Sequence, residues 1–263
     1  MIKVFQYWGQ GYENMPSMIK TIYHHNKEIC EKFNLELILI NDKNVKEYIE
    51  PPERFFKLAY NFKSDIVRYF CLHKYGGFWF DTDVIIIKDL NKIVDNLDNK
   101  FEVIADIETV TKLGCASLYF KKDTILSKFC IDRINNIIEN EDIIDWMILG
   151  PDTISSLYKN FKDNIFVNDY KVVRKGCNYI CWNENPGINK ERWLFNTREE
   201  AEKKAESLKN NNECFYLITW TIYRINNIEG DVSDFVFKND KSVFSYFINI
   251  DHSNQSSGNT TLS

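Results

Sequence analysis

Residues 64–84 read SDIVRYFCLHKYGGFWFDTDV. The first half of this stretch continues an apolar pattern with helical spacing, which predicts a helix over residues 55–75. Gly76 and Gly77 then end the helix and let the backbone turn into a strand over residues 78–80. The stretch therefore predicts a helix that leads directly into a buried strand.

Two carboxylates follow this strand, at Asp81 and Asp83. Asp is common in turns, so a solvated loop is one interpretation. However, the apolar pattern continues over residues 84–87, so the acidic pair interrupts a hydrophobic stretch, which argues against a solvated loop. In an extended chain, residues two apart point to the same side, roughly 6 to 7 Å from each other. Two like charges at that separation repel, and a hard divalent cation relieves the repulsion. We therefore predict a metal site at this acidic pair.

The rest of the chain predicts an α/β protein. Strands over residues 2–7 and 35–40 alternate with helices over 17–33 and 55–75, which favours an open sheet with ligands at the carboxyl ends of its strands. Further strands are predicted over residues 101–105, 116–120 and 215–220. A helix is predicted over 123–138, with Asp123 as its cap, and another follows Gly150-Pro151. A third helix is predicted over 197–208, where Thr197 begins a capping box.

Composition excludes several classes of protein. The chain has 263 residues, 44% of them hydrophobic, which is ample for a core. A formal charge of −5 without a basic stretch argues against nucleic-acid binding. The chain shows no signal peptide and no long apolar run, so we predict neither secretion nor a membrane span.

The cysteines favour a reducing compartment. There are seven, an odd number, without a C-x-x-C pair. Cys177 and Cys181 are four residues apart, but no second Cys or His pair nearby completes a zinc site. We therefore expect free thiols and a cytoplasmic protein.

Three side chains near the acidic pair and the first strand have two interpretations each. Asp65 and Arg68 share a helix face, either as a surface ion pair or as an acceptor and a forked donor for a polyol. Trp8 is either a core aromatic or a stacking surface for a flat base, since Gly9 and Gly11 beside it let a ligand approach the backbone.

Residues 64–84 resemble the S-D-x-x-R, G-G and D-x-D signature of glycosyltransferases that use nucleotide sugars. The spacing is similar to that of the mannosyltransferase-like sugar-binding group and of the clostridial glucosylating toxins. Residues 4–22, VFQYWGQGYENMPSMIKTI, resemble the opening of the bacterial capsular polysaccharide synthesis branch. Together these motifs cover about the first 95 residues.

The resemblance implies a glycosyltransferase-A fold: Rossmann-like, with a mixed, mainly parallel sheet flanked by helices. It implies one domain over residues 1–250, with a nucleotide-sugar and metal-binding half over 1–95 and an acceptor-side half over 96–250. By composition, residues 251–263 are a disordered tail.

The resemblance also implies roles for individual residues. Asp83 would bind Mn²⁺ or Mg²⁺, and Asp81 would contact the ribose and help at the metal. Asp65 and Arg68 would hold the donor sugar. The remaining donor-site positions are Trp8 in the base pocket with Tyr7 and Gly9 beside it, Gly76 and Gly77 at the turn, and Thr219 and Trp220 over the diphosphate. The His that commonly precedes this last pair in the family is absent, which leaves the third metal ligand open. Gly150-Pro151 would line the acceptor side.

The implied reaction is transfer of a sugar from a nucleotide sugar, expected to be a UDP-sugar, with retention of configuration. The implied acceptor is a glycan or a lipid-linked oligosaccharide of a capsular or other surface polysaccharide, with peripheral association at the inner face of the membrane. Two alternatives stay open: a non-catalytic carbohydrate-binding protein, and a haloacid-dehalogenase-type phosphohydrolase in which FDTDVI and a second acidic motif, Gly230-Asp231 with Asp234, form the site.

Overall fold

The structure is a computed structural model, and it describes residues 1–109, 112–141, 144–168, 197–211, 214–218 and 241–253. In chain order the strands are β1 (Ile2–Tyr7), β2 (Leu35–Ile40), β3 (Gly77–Phe80), β4 (Val84–Ile86), β5 (Val103–Thr109), β6 (Lys112–Phe120), β7 (Ile165–Asn168) and β8 (Tyr216–Ile218). The helices are α1 (Ser17–Lys32), α2 (Val45–Tyr48), α3 (Tyr60–Tyr75), α4 (Asn91–Asp95), α5 (Ile125–Asn140), α6 (Pro151–Phe161), α7 (Arg198–Asn210) and α8 (Val243–Ser253).

The chain divides into two compact units. Unit 1 comprises Met1–Met15, Cys30–Thr82 and Asp89–Val173, and unit 2 comprises Pro16–Ile29, Asp83–Lys88 and Arg174–Ser263. The chain passes from unit 1 to unit 2 between Thr82 and Asp83, within the D-x-D motif. The single domain over residues 1–250 stays a prediction.

Unit 1 is built on a six-stranded sheet in the order β2-β1-β3-β6-β5-β7. β1 pairs in parallel with β2 and β3, and β5 with β7, whereas β6 is antiparallel to both of its neighbours. The predicted class, a mixed and mainly parallel sheet with helices, is confirmed. Its core joins sheet residues to α3, α5 and α6, with the fully buried members Phe5, Trp79, Phe120, Ile66, Tyr69, Leu72, Ile134 and Ile154.

The helix-to-strand turn at Gly76-Gly77 forms as predicted. Both glycines have positive φ, 67° and 99°, a conformation that costs little only without a Cβ. A Cβ on Gly77 would lie 2.3 Å from the Lys3 carbonyl oxygen, so glycine also permits the close approach of β3 to β1. The backbone conformation therefore explains why glycine occupies both positions. A role of these glycines in donor binding stays a prediction.

Unit 2 contains the short strand β4, which pairs antiparallel with β8 in a separate two-stranded sheet. The expectation of an extended chain through Asp81 and Asp83 is therefore wrong. The Asp81 amide still bonds to the Ala116 carbonyl oxygen at 2.8 Å, but residues 82 and 83 form a turn. The apolar run continues past the acidic pair because β4 is buried in its own right, against β8.

Several boundaries differ from the predictions. Residues 55–57 form a 3-10 turn, so α3 begins only at Tyr60. Asp123 is not the cap of α5: Thr124 caps it through a reciprocal capping box with Ser127, and Asp123 precedes the cap with a φ of 53°. The predicted box at Thr197 is confirmed, with Glu200.

The C-terminal predictions are tested only in part. α8 continues through Ser253, and residues 254–263 of the predicted tail lie outside the described residues. Among the described residues, none of the helices combines the length and the hydrophobicity that a membrane span requires. The described cysteines Cys30, Cys71, Cys115, Cys130 and Cys214 are free thiols, while Cys177 and Cys181 lie outside the described residues.

Candidate active site

A buried charge cluster lies at the carboxyl end of β3, in unit 1. Arg68, on α3, donates from Nη1 to Asp65 Oδ1 and from Nη2 to Asp81 Oδ1, the latter at 2.8 Å. The Arg68 side chain is 3% exposed and that of Asp65 is 9% exposed. The interpretation of Asp65 and Arg68 as a surface ion pair is therefore wrong. When all three groups are ionised, the cluster carries one net negative charge.

Trp79 completes this cluster and was not predicted from the sequence. Its Nε1 donates to Asp81 Oδ1 at 2.8 Å, and the Arg68 guanidinium carbon lies 5.0 Å from the centre of its ring. Trp79 and Asp81 are two residues apart, so alternation along β3 places both on the same face of the sheet. The spacing of two residues between Trp79 and Asp81 could therefore have predicted that Trp79 lies beside Asp81.

The backbone of Asp81 is also fixed on both sides. Besides the bond from its amide to β6, its carbonyl oxygen accepts from Gln6 Nε2 at 3.4 Å, and Gln6 is fully buried on β1. The Asp81 side chain nevertheless remains 34% exposed. Asp81 is therefore a rigidly held carboxylate with one side open to a ligand.

The carboxyl group of Asp65 is more deeply buried than that of Asp81. Burial raises the pKa of its carboxyl to about 6, and the neighbouring Arg68 guanidinium offsets part of that rise. A Cβ on Gly150 would lie 2.6 Å from Asp65 Oδ1. The Gly150 carbonyl oxygen in turn accepts from the Tyr69 hydroxyl at 2.9 Å. The mid-chain Gly150-Pro151 motif thus lies against Asp65, at the start of α6.

In the base pocket predicted beside β1, the space next to Gly9 is filled by another side chain. A Cβ on Gly9 would lie 2.2 Å from Cδ1 of Tyr60, so the Tyr60 ring occupies the space that was expected to admit a ligand. Gly9 therefore lacks a side chain because Tyr60 packs on it, and not in order to admit a ligand. Gly11 has open space and a φ of 86°. Trp8 is half-buried, and its buried Nε1 has no hydrogen-bond partner among the described residues.

Tyr7 does not face open solvent either. Its hydroxyl donates to Asp42 Oδ1, and Asp42 Oδ2 accepts from Lys63 Nζ at 2.6 Å. Lys63 is buried, with Nζ 5.0 Å from the centre of the Tyr60 ring. Burial, with the Asp42 hydrogen bond, raises the pKa of the Tyr7 hydroxyl. This network ties the ends of β1 and β2 together next to Trp8 and was not anticipated from the sequence.

The second aspartate of the motif lies in unit 2. Asp83 is half-buried and directly precedes β4. Within the described residues, no three or more His, Cys, Asp or Glu side chains are arranged to share a cation. Thr219 and Trp220 follow β8 directly but lie outside the described residues, so their predicted role is untested.

Comparison with known proteins gives one family and a set of distant structural likenesses. The model of the capsular polysaccharide synthesis protein family matches residues 1–175. A search of curated proteins gave no significant match. The family match includes the whole buried charge cluster and the D-x-D motif.

Three glycosyltransferase structures illustrate the likenesses. The PaToxG glycosyltransferase shares 18% identity over 62% of this chain and 69% of its own, with a TM-score of 0.42. GlyE of Streptococcus pneumoniae shares 13% identity over 97% of this chain and 64% of its own, with a TM-score of 0.46. An active-site mutant of LgtC shares 9% identity over 96% of both chains, with a TM-score of 0.44.

Proposed function

The chain belongs to the capsular polysaccharide synthesis protein family, and we propose that this glycosyltransferase moves a sugar from a UDP-sugar to a glycan acceptor with the help of a divalent cation. The buried cluster of Asp65, Arg68 and Asp81 carries the proposal. Such a cluster is costly to bury for stability alone, because desolvation of ion pairs opposes their attraction. Its place at the carboxyl end of a strand, where α/β proteins bind ligands, supports a binding role.

By the chemistry of their oxygen donors, the carboxylates of the D-x-D motif suit a small, hard cation. Mg²⁺ is usually held by one or two carboxylates together with substrate phosphates and water, not by a complete protein cage. Asp81 and Asp83 would supply those carboxylates, and no third carboxylate or imidazole is needed. When bound with the donor, the cation would neutralise negative charge on the diphosphate leaving group.

The donor sugar would be held by the cluster itself. Arg68 commits two of its donors to carboxylates, and its buried Nε has no hydrogen-bond partner among the described residues. Its main effect is therefore to fix Asp65 and Asp81, whose remaining lone pairs accept hydrogen bonds from sugar and ribose hydroxyls. Trp8 would stack on the base, and Thr219-Trp220 would cover the diphosphate.

The acceptor side follows from the same site. Gly150 lies against Asp65, so the start of α6 would border the position of the transferred sugar. The acceptor we propose is a growing glycan or a lipid-linked oligosaccharide, met in the cytoplasm at the inner face of the membrane. Transfer would retain the anomeric configuration, which proton NMR of the product decides.

Hydrolysis of nucleotide sugars in the absence of acceptor tests the proposal. Each member of a panel of UDP-, GDP- and CMP-sugars is incubated with the protein and Mn²⁺, and release of the free nucleotide is measured, with EDTA as control. We expect release from one or more UDP-sugars, and its loss in EDTA. Hydrolysis of simple phosphomonoesters alone would support the phosphohydrolase alternative. Saccharide binding without turnover would support a carbohydrate-binding protein.

A further inference from the structure

Two adjacent side chains of α1, His25 and Asn26, hold β4 by its backbone. Asn26 Nδ2 donates to the Val84 carbonyl oxygen at 2.7 Å, and Asn26 Oδ1 accepts from the Ile86 amide at 2.8 Å. His25 Nε2 lies 2.8 Å from the Ile86 carbonyl oxygen. Because a carbonyl oxygen can only accept, Nε2 carries the proton and donates. Two side chains thus satisfy three backbone groups.

These bonds take the place of a neighbouring strand. β4 pairs with β8 along one edge, where Ile85 is opposite Leu217. The backbone groups of successive strand residues point to opposite edges, so those of Val84 and Ile86 point away from β8. That second edge is the one that His25 and Asn26 occupy. The two-stranded sheet of unit 2 is therefore completed by side chains of a helix.

Burial makes this arrangement necessary. Asn26 and all three residues of β4 are fully buried, and His25 is 6% exposed. Water cannot replace a lost partner there, and an unsatisfied buried backbone group is strongly unfavourable. A three-residue strand with a single partner strand is also marginal by itself. The position of β4 therefore depends on these two side chains.

β4 begins at the residue after Asp83, and the Asn26 bond is made to its first residue, Val84. We propose that His25 and Asn26 are positioning residues for Asp83: they fix the strand from which this carboxylate reaches the divalent cation. The inference rests on the proposed metal role of Asp83. Neither His25 nor Asn26 contacts the cation or the donor; both act through β4. Loss of a side chain that hydrogen-bonds directly to a metal ligand typically lowers metal affinity 10- to 100-fold, and we expect an effect at the lower end of that range here because Asn26 acts through the backbone of β4.

The test compares Asn26→Leu with the parent protein and with Glu28→Ala, a substitution at an exposed position of the same helix. Leu keeps the branched shape of Asn but is larger, and it removes both hydrogen bonds. Amide hydrogen exchange reports on residues 84–86, and electron paramagnetic resonance reports Mn²⁺ binding in the presence of UDP. We expect faster exchange in β4 and about tenfold or greater loss of Mn²⁺ affinity in Asn26→Leu. Glu28→Ala should match the parent in both measurements.

Parent-like Mn²⁺ affinity in Asn26→Leu, despite faster exchange in β4, would overturn the inference and leave Asn26 with a role in stability only. If Asn26→Leu does not fold, His25→Ala, which loses one of the three bonds, carries the same test with the same two outcomes. Asp83→Asn is measured alongside. If it binds Mn²⁺ as tightly as the parent, the metal role of Asp83 fails and the inference falls with it. If it loses Mn²⁺ while Asn26→Leu does not, only the inference falls.

Discussion

Replacement of Arg68 by Met should destabilise the protein far more than the loss of an ordinary ion pair. The Arg68 side chain is 3% exposed and bonds to two carboxylates, one of them the buried Asp65. Met fills most of the volume but leaves Asp65 without a counterion. Removing one partner of a buried pair costs about 3 to 5 kcal/mol. An exposed pair contributes about 0.2 to 1 kcal/mol.

Urea unfolding followed by tryptophan fluorescence measures the difference, with Lys128→Met as the matched control. Lys128 makes an i,i+4 pair with Asp132 at 2.7 Å on the surface of α5, where both side chains are more than 60% exposed. We expect a loss of about 3 kcal/mol or more for Arg68→Met and less than about 1 kcal/mol for the control. Similar small losses in both variants would refute the assignment of a buried, mutually dependent cluster.

Three further predictions concern the same region. The raised pKa of Asp65 means that its contribution to stability is fully present below its unfolded pKa of about 3.9 and is lost as the pH rises through about 6. The free energy of unfolding of the parent minus that of Asp65→Asn should therefore fall by about 2 to 3 kcal/mol between pH 4 and pH 7, and a flat or rising difference would contradict it. In Gly150→Ala the new Cβ would lie 2.6 Å from Asp65 Oδ1. We expect this overpacking to cost about 1 to 3 kcal/mol of stability and to reduce donor turnover. Thermal unfolding and kinetics like those of the parent would show instead that the segment at Gly150 shifts to make room. Trp8→Ala should weaken UDP binding in calorimetry by about 1 kcal/mol, whereas a loss of about 3 kcal/mol in stability with unchanged affinity would assign Trp8 to the core.

Local pattern was enough to predict much of unit 1. The bounds of β1 and β2 agree with the predicted strands, because each is a short apolar run ended by turn residues. The turn at Gly76-Gly77 was predictable because few other residues tolerate positive φ. The cluster partners Asp65 and Arg68 were predictable from their spacing on one helix face, although their burial was not.

What the sequence left open depends on contacts between residues far apart in the chain. An apolar run shows that β4 is buried, but not that its partner is β8, more than 100 residues later. Nor does the run show the turn at residues 82 and 83 that precedes β4. The contact of Gly150 with Asp65 and the bonds from Asn26 to β4 likewise join segments far apart in the chain. Local sequence periodicity does not predict such contacts.

We propose that this chain uses the D-x-D carboxylates and a divalent cation to release a sugar from a nucleotide sugar. The most direct test of this proposal is the rate of UDP release from the preferred UDP-sugar as Mn²⁺ is titrated, in the parent and in Asp83→Asn, with circular dichroism to confirm that both are folded. We predict saturable activation by Mn²⁺ in the parent and loss of turnover in the variant, because the substitution removes a charged ligand at nearly constant volume. Equal rates and equal Mn²⁺ dependence in both proteins would contradict the proposal.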